Sequence, residues 1–114
     1  MQAYRLDEIQ TRRRSGDRMY LEFLRSASLS AGLYELPAAG ADPQQPHTED
    51  EVYCVVSGRG QIRVGADDLA VGPGHIVYVP AGMPHRFRSI TESLSILAFF
   101  APAEYSNAPS GQGG

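Results

Sequence analysis

A group of polar side chains in the middle of the sequence has the residue types and spacing of a metal site. Gln45, His47, Glu51 and Tyr53 occupy alternate positions of one stretch, and His85 follows a proline-rich turn downstream. If the chain is extended here and no turn interrupts the alternation of side chains, the four side chains from Gln45 to Tyr53 project from one face. Two imidazoles and a carboxylate suit a divalent first-row metal with positions left open for water or substrate. The pattern therefore predicts that His47, Glu51 and His85 bind one Mn, Fe, Co, Ni, Cu or Zn ion.

Each of these residues also has a structural interpretation. The two histidines could be hydrogen-bonded residues that line a dry barrel, and Glu51 could be an exposed acid, the role that we assign to Glu49 and Asp50. Gln45 is either a weak fourth ligand or a hydrogen-bond donor to bound substrate or water.

Three neighbours are open to a chemical role or a structural one. Tyr53 could act as an acid or base if a cation labilises its proton, because its reference pKa of ~10 is far from neutral; otherwise it lines the pocket. His75 follows a turn glycine and is interpreted as an ordinary residue at the start of a strand. Cys54 has the opposite parity to Glu51, which predicts a small hydrophobe in the outer layer or at a subunit interface.

Two glycine-bounded stretches resemble the motifs of the cupin superfamily of small β-barrels. In the first, His47 takes the second histidine position, and Glu51 and Gly58 follow at the motif's spacing. In the second, Gly74, Pro80, Gly82 and His85 match without a gap.

The sequence departs from the cupin motifs at three positions: Gln45 replaces the first histidine, Ala39 the opening glycine and Ser89 the final asparagine. The resemblance implies an all-β, single-domain, cupin-type jelly-roll β-barrel. It also implies a metal-dependent enzyme of the dioxygenase, isomerase, lyase or cyclase type acting on a small organic molecule. The alternative is a non-catalytic cupin module that binds a sugar or an organic acid.

The elements that must position these residues are short strands. About eight of them, at roughly ten-residue spacing and with no convincing helix, predict a sandwich or barrel. They are expected at 19–24, 29–36, 52–56, 61–64, 69–71, 75–79, 85–88 and 94–100, with a tight hairpin turn at 57–60. The prolines and glycine of 37–46 predict a loop that delivers Gln45 and His47 to the barrel mouth.

The predicted domain organisation is a single barrel with two short extensions. We expect residues 1–16 to form an N-terminal arm or edge strand, 17–105 the cupin barrel and 106–114 a disordered tail without apolar side chains. A chain of 114 residues is large enough for one core but not for two.

Composition narrows the possible partners. The net charge is −3 and all ten basic residues are arginine, so nucleic acid and anionic membranes are not expected as partners. The absence of lysine suggests a high-GC bacterial source. No apolar run is long enough for a transmembrane helix or a signal peptide, so we expect a cytoplasmic protein. Apolar pairs such as Val55 with Val56 and Phe99 with Phe100 place apolar residues on both strand faces, which predicts a homodimer.

Overall fold

The chain folds into a jelly-roll barrel built around two long, bent strands. The computed structural model describes residues 1–43 and 46–107. The elements are α1 (Leu6–Arg14), β1 (Tyr20–Arg25), β2 (Ser30–Leu36), β3 (Asp50–Val64), β4 (Asp67–Val71), β5 (Ile76–Val79) and β6 (His85–Ala101). The strands pair antiparallel in the order β1-β2-β6-β3-β4, and β5 pairs with the first part of β3.

The ladder between β3 and β6 joins both ends of the barrel. The first part of β3 pairs with the last part of β6 and with β5, while the second part pairs with the start of β6 and with β4. Register shifts between Val55 and Gln61 interrupt the ladder. Such bulges bend strands sharply, so one pair of strands can serve both layers of the barrel.

The predicted hairpin turn at 57–60 is therefore wrong, because β3 continues through it. Gly58 has a φ of +92°, and a Cβ there would lie 2.1 Å from the carbonyl oxygen of Ser93 on β6. Only glycine fits such a position. The glycines that indicated a turn instead allow a bulge, so the strands predicted separately at 52–56 and 61–64 form the single strand β3. The strands predicted at 85–88 and 94–100 likewise form the single strand β6.

The expectation of no helix is also wrong, because residues 6–14 form α1. Ile9 is its single buried residue, so the helix lacks the apolar stripe that marks helices in sequence. Ion pairs hold it instead: Arg13 and Arg14 place guanidinium nitrogens 2.8 and 2.9 Å from the carboxylate of Glu35 on β2. Acidic residues in its first turn and arginines in its last also complement the helix dipole.

Inward side chains of β2, β3, β4, β5 and β6 form the core of the barrel. Within the described ranges, no helix is long and apolar enough to cross a membrane. The wall of the barrel is completed at one end by the loop before β3, where Asp42 is 3% exposed. Its carboxylate accepts hydrogen bonds from the hydroxyl of Tyr34 at 2.5 Å and the backbone N–H of Phe87 at 2.9 Å. The loop that leads to His47 is thereby tied to β2 and β6.

Candidate metal centre

The structure brings His47, Glu51 and His85 together inside the barrel, where one donor atom of each lies within 4.8 Å of the others. His47 lies in the loop before β3, Glu51 points inward from β3, and His85 is the first residue of β6. The histidines are each 7% exposed and Glu51 is 1% exposed. Gln45, predicted as a ligand or a catalytic residue, lies outside the described residues.

Backbone contacts between the two motif stretches fix this arrangement. The N–H of Gly82, in the turn before His85, donates to the carbonyl oxygen of His47 at 2.6 Å. The N–H of Ala81 donates to the carboxylate of Asp50 at 2.9 Å. Gly82 has a φ of +73°, which explains the glycine at this point of the second motif. The turn between prolines therefore positions both histidines at once.

The ring nitrogens show which lone pairs face the centre of the cluster. His85 Nδ1 lies 2.9 Å from the carbonyl oxygen of Met83, which can only accept, so Nδ1 carries the proton and Nε2 is left as an acceptor. That Nε2 lies 3.2 Å from Glu51 Oε1. His47 Nδ1 lies 3.5 Å from the same oxygen. A ring nitrogen of each histidine and a carboxylate oxygen thus converge on one point.

Several polar atoms in this cluster lack a well-aligned hydrogen bond. Among the described residues, none forms one with His47 Nδ1 or with either carboxylate oxygen of Glu51. Buried polar atoms without partners cost about 1–3 kcal/mol each, so their grouping at one point favours a positive charge there, either a bound cation or protons on the histidines. The donor set fits a divalent first-row metal.

Glu104, which the sequence did not single out, adds a second carboxylate beside His47. Its carboxylate oxygen lies 2.8 Å from His47 Nε2, and the residue is 8% exposed. The carboxylates of Glu51 and Glu104 thus lie on either side of His47, and a divalent cation would balance a pair of negative charges there. One indication of this role was present in the sequence: Glu104 is an isolated acidic residue shortly after Pro102, which follows the end of β6.

In the metal-free state, protons can take the same role. Burial alone would lower the pKa of His47, but its hydrogen bond to Glu104 and the adjacent Glu51 carboxylate raise that pKa to about 9. Burial likewise opposes charging of His85, yet Glu51 and the Met83 carbonyl raise its pKa. Burial raises the pKa of Glu51, but the two histidines outweigh this effect and lower it.

Tyr53 lies beside the cluster, fully buried on β3, with its hydroxyl 3.0 Å from His85 Nε2. Burial and the Glu51 carboxylate raise its pKa well above 10, so the phenol keeps its proton in the metal-free protein. The structure thus positions Tyr53 as a proton donor; its part in catalysis stays a prediction.

The remaining neighbours divide between confirmed and wrong expectations. Cys54 points to the opposite face and is half-buried, as its parity predicted. His75 precedes β5 and bonds locally to Gly72. Glu49, expected in solvent, is instead 1% exposed and accepts the N–H groups of Tyr105 at 2.7 Å and Asn107 at 2.8 Å.

These bonds hold residues 103–107, called here the C-terminal turn, against the site. The rings of Tyr105 and His47 have centroids 6.0 Å apart. Ser106 and Asn107 therefore belong to this turn and not to the disordered tail predicted at 106–114; residues 108–114 lie outside the described part of the chain.

Comparisons with known proteins agree with this architecture. The family model for the cupin domain matches residues 32–100. An uncharacterized protein of Streptomyces coelicolor is 50% identical over 104 residues, which are 91% of this chain and 99% of that protein.

Solved structures are similar as well. The TT1209 protein of Thermus thermophilus superposes with a TM-score of 0.71 at 24% identity, over 90% of this chain and 99% of that one. The DMSP lyase DddQ of Ruegeria pomeroyi superposes with a TM-score of 0.62 at 28% identity, over 67% of this chain. The chain spans only 39% of the length of that lyase.

Proposed function

The chain belongs to the cupin family, and from the site in its barrel we propose that it is a metal-dependent enzyme that acts on a small organic molecule. The observation that carries the proposal is the convergence of His47, Glu51 and His85, whose acceptor atoms face one buried point. A divalent cation held there would polarise a carbonyl or enolate oxygen of the substrate. Dioxygenase, isomerase, lyase and cyclase chemistry are all compatible with such a centre.

Each residue has a separate task in this proposal. His47, Glu51 and His85 hold the cation, and the nearby positive charge would labilise the proton of Tyr53 for donation to a substrate oxygen. Gln45 orients substrate or water at an open position. Among the four reaction classes, the lyase class has support from the 28% identity to the DMSP lyase over 67% of the chain.

The burial of the site favours a second candidate, a non-catalytic cupin that binds a small ligand. Both histidines are only 7% exposed, and the C-terminal turn lies against His47. Such a module would bind its ligand at the barrel mouth, where Pro46, Pro84 and His85 line an open cavity, and a metal at the buried donors would be merely structural.

Metal content and turnover together separate these candidates. Protein stripped of metal is reconstituted with Mn²⁺, Fe²⁺, Co²⁺, Ni²⁺ or Zn²⁺, and elemental analysis should find about one ion per chain in wild type. His85→Ala should lose most of it. Each loaded form is then incubated with DMSP, 2-oxo acids and sugars, and products are followed by NMR.

Conversion by wild type that falls at least tenfold in Tyr53→Phe, at equal metal content, would support the enzyme. Binding without conversion by every loaded form would favour the binding module. Wild type that stays empty with every metal would contradict the site itself.

We further propose that the protein forms a homodimer through the outer face of β3, β5 and β6. Cross-strand pairs place Val52 opposite Tyr78 and Phe99, and Cys54 opposite Ile76 and Leu97, so these side chains share one face. Ile76 is 71% exposed and Tyr78 57% exposed. Among the described elements, α1 packs mainly against β1 and β2, so this apolar half of the outer surface is available to a second copy.

A further inference from the structure

Glu104 lies outside both cupin motifs and beyond the stretch 32–100 that matches the cupin domain, yet it contacts a residue of the metal centre. Its Oε2 is 2.8 Å from His47 Nε2, and both side chains are nearly inaccessible to water. A buried carboxylate at this distance can only accept, so His47 Nε2 carries the proton of the pair.

This hydrogen bond decides which nitrogen of His47 faces the cluster. Because the proton is on Nε2, the lone pair of the neutral ring is on Nδ1, the atom that lies 3.5 Å from Glu51 and lacks a hydrogen bond within the described chain. We propose that Glu104 is a positioning residue of the metal centre, which fixes the tautomer and the ring orientation so that His47 binds the ion through Nδ1. This inference rests on the proposed metal site.

The two histidines then bind through different nitrogens, each for a reason visible in the structure. His85 donates from Nδ1 to the carbonyl oxygen of Met83 and presents Nε2. His47 donates from Nε2 to Glu104 and presents Nδ1. Carboxylates and backbone carbonyls are the usual partners of the second nitrogen of a metal-bound histidine, and losing such a partner typically costs 10–100-fold in metal affinity.

Glu104 is itself held in place by the barrel, as a positioning residue must be. Its backbone N–H donates to the hydroxyl of Ser30 at 2.9 Å, and its carbonyl oxygen accepts from Arg25 at 2.9 Å. Ser30 is fully buried. Glu49 holds the next part of the C-terminal turn through the N–H groups of Tyr105 and Asn107. The backbone of Glu104 and of the residues that follow it is thus held in place without a metal.

The test measures zinc affinity and ring chemistry separately. Zn²⁺ dissociation constants are determined by chelator competition for wild type, Glu104→Ala, Glu104→Gln and the exposed control Glu92→Gln. Long-range ¹⁵N–¹H NMR on the zinc-loaded proteins identifies the bound nitrogen of His47. We expect Glu104→Ala to weaken binding 10–100-fold and Glu92→Gln to leave it unchanged. Glu104→Gln should recover part of the loss, because the amide oxygen still accepts from Nε2. Wild type should show Nδ1 bound and Nε2 protonated.

The outcomes that overturn the inference differ from the one that overturns the metal site. If Glu104→Ala and Glu104→Gln both bind zinc as tightly as Glu92→Gln, Glu104 positions nothing. If Glu104→Ala loses zinc as completely as His85→Ala, Glu104 is a ligand rather than a positioning residue. Binding of zinc through His47 Nε2 in wild type would also overturn it. Wild type that binds no metal at all would overturn the proposed centre and, with it, this role of Glu104.

Discussion

Glu49→Gln should release the C-terminal turn from the metal centre while the barrel stays folded. The two carboxylate oxygens of Glu49 have separate tasks: Oε1 accepts from the N–H of Tyr105 at 2.7 Å, and Oε2 from that of Asn107 at 2.8 Å. The Thr48 hydroxyl also donates to Oε2. A glutamine has one acceptor oxygen, so one backbone N–H would face an NH₂ group instead.

The size of the effect follows from these contacts. A hydrogen bond to a charged group contributes about 1.5–3 kcal/mol, and a buried donor left unpaired costs about 1–3 kcal/mol. Because both N–H groups are only partly buried, water can replace part of the loss. We therefore expect the free energy of local opening to fall by about 1–3 kcal/mol. At 1.4 kcal/mol per tenfold, this corresponds to a roughly 5–150-fold rise in the opening equilibrium constant.

Amide hydrogen exchange measured residue by residue by NMR provides the assay. The amides of Tyr105 and Asn107 should exchange faster by the stated factor in Glu49→Gln, while amides of β2 such as that of Leu36 keep their wild-type rates. Glu92→Gln, which removes an exposed carboxylate, serves as the control. Unchanged protection of the turn would refute the reasoning, and an equal loss of protection in β2 would show that Glu49 supports the whole barrel instead.

Three further predictions concern the helix, the outer face and the undescribed loop. Burial raises the pKa of Glu35, but the ion pairs with Arg14 and Arg13 outweigh burial and hold that pKa below its usual value. These ion pairs therefore stabilise the fold at pH values above the unfolded pKa of ~4.3. The stabilisation is lost as the pH falls through the folded pKa of Glu35. In urea titrations, Glu35→Gln should cost about 1 kcal/mol at pH 7 and progressively less below pH ~4, whereas a cost independent of pH would contradict the ion-pair account. Ile76→Glu should turn the proposed dimer into a monomer in light scattering, and a wild type that is monomeric at all concentrations would remove the idea. Gln45→Ala should keep the metal but weaken ligand binding, and Gln45→His should tighten the metal; loss of metal in Gln45→Ala would make the amide a true ligand.

The motif residues were sufficient to predict the barrel but not the paths of its strands. His47, Glu51 and the turn before His85 follow local rules of spacing and turn chemistry, so the sequence indicates them directly. Whether Gly58 marks a turn or a bulge depends on how closely the β6 backbone passes, a tertiary contact with no local signal. The helix α1 was missed for a related reason, since its stability depends on Glu35, 21 residues beyond Arg14.

The candidate site was also predicted only in part from the sequence. The sequence singled out the three converging donors, whereas Glu104 and Glu49 depend on the C-terminal turn folding back over the barrel. Glu104 meets His47 across 57 positions of sequence, and nothing in the composition of either segment encodes that meeting. Charge near a motif is equally ambiguous: Asp50 is exposed, but Glu49 beside it is buried because backbone N–H groups from residues 105 and 107 satisfy its oxygens.

Anomalous X-ray diffraction from crystals of the zinc-loaded protein, collected on both sides of the zinc absorption edge, tests the metal centre most directly. The account predicts one strong peak per chain, within about 2.0–2.2 Å of His47 Nδ1, His85 Nε2 and a carboxylate oxygen of Glu51. The same peak should be absent from His85→Ala crystals treated identically. A zinc-loaded wild type with no peak between these three side chains, or with its peak elsewhere in the molecule, would contradict the account.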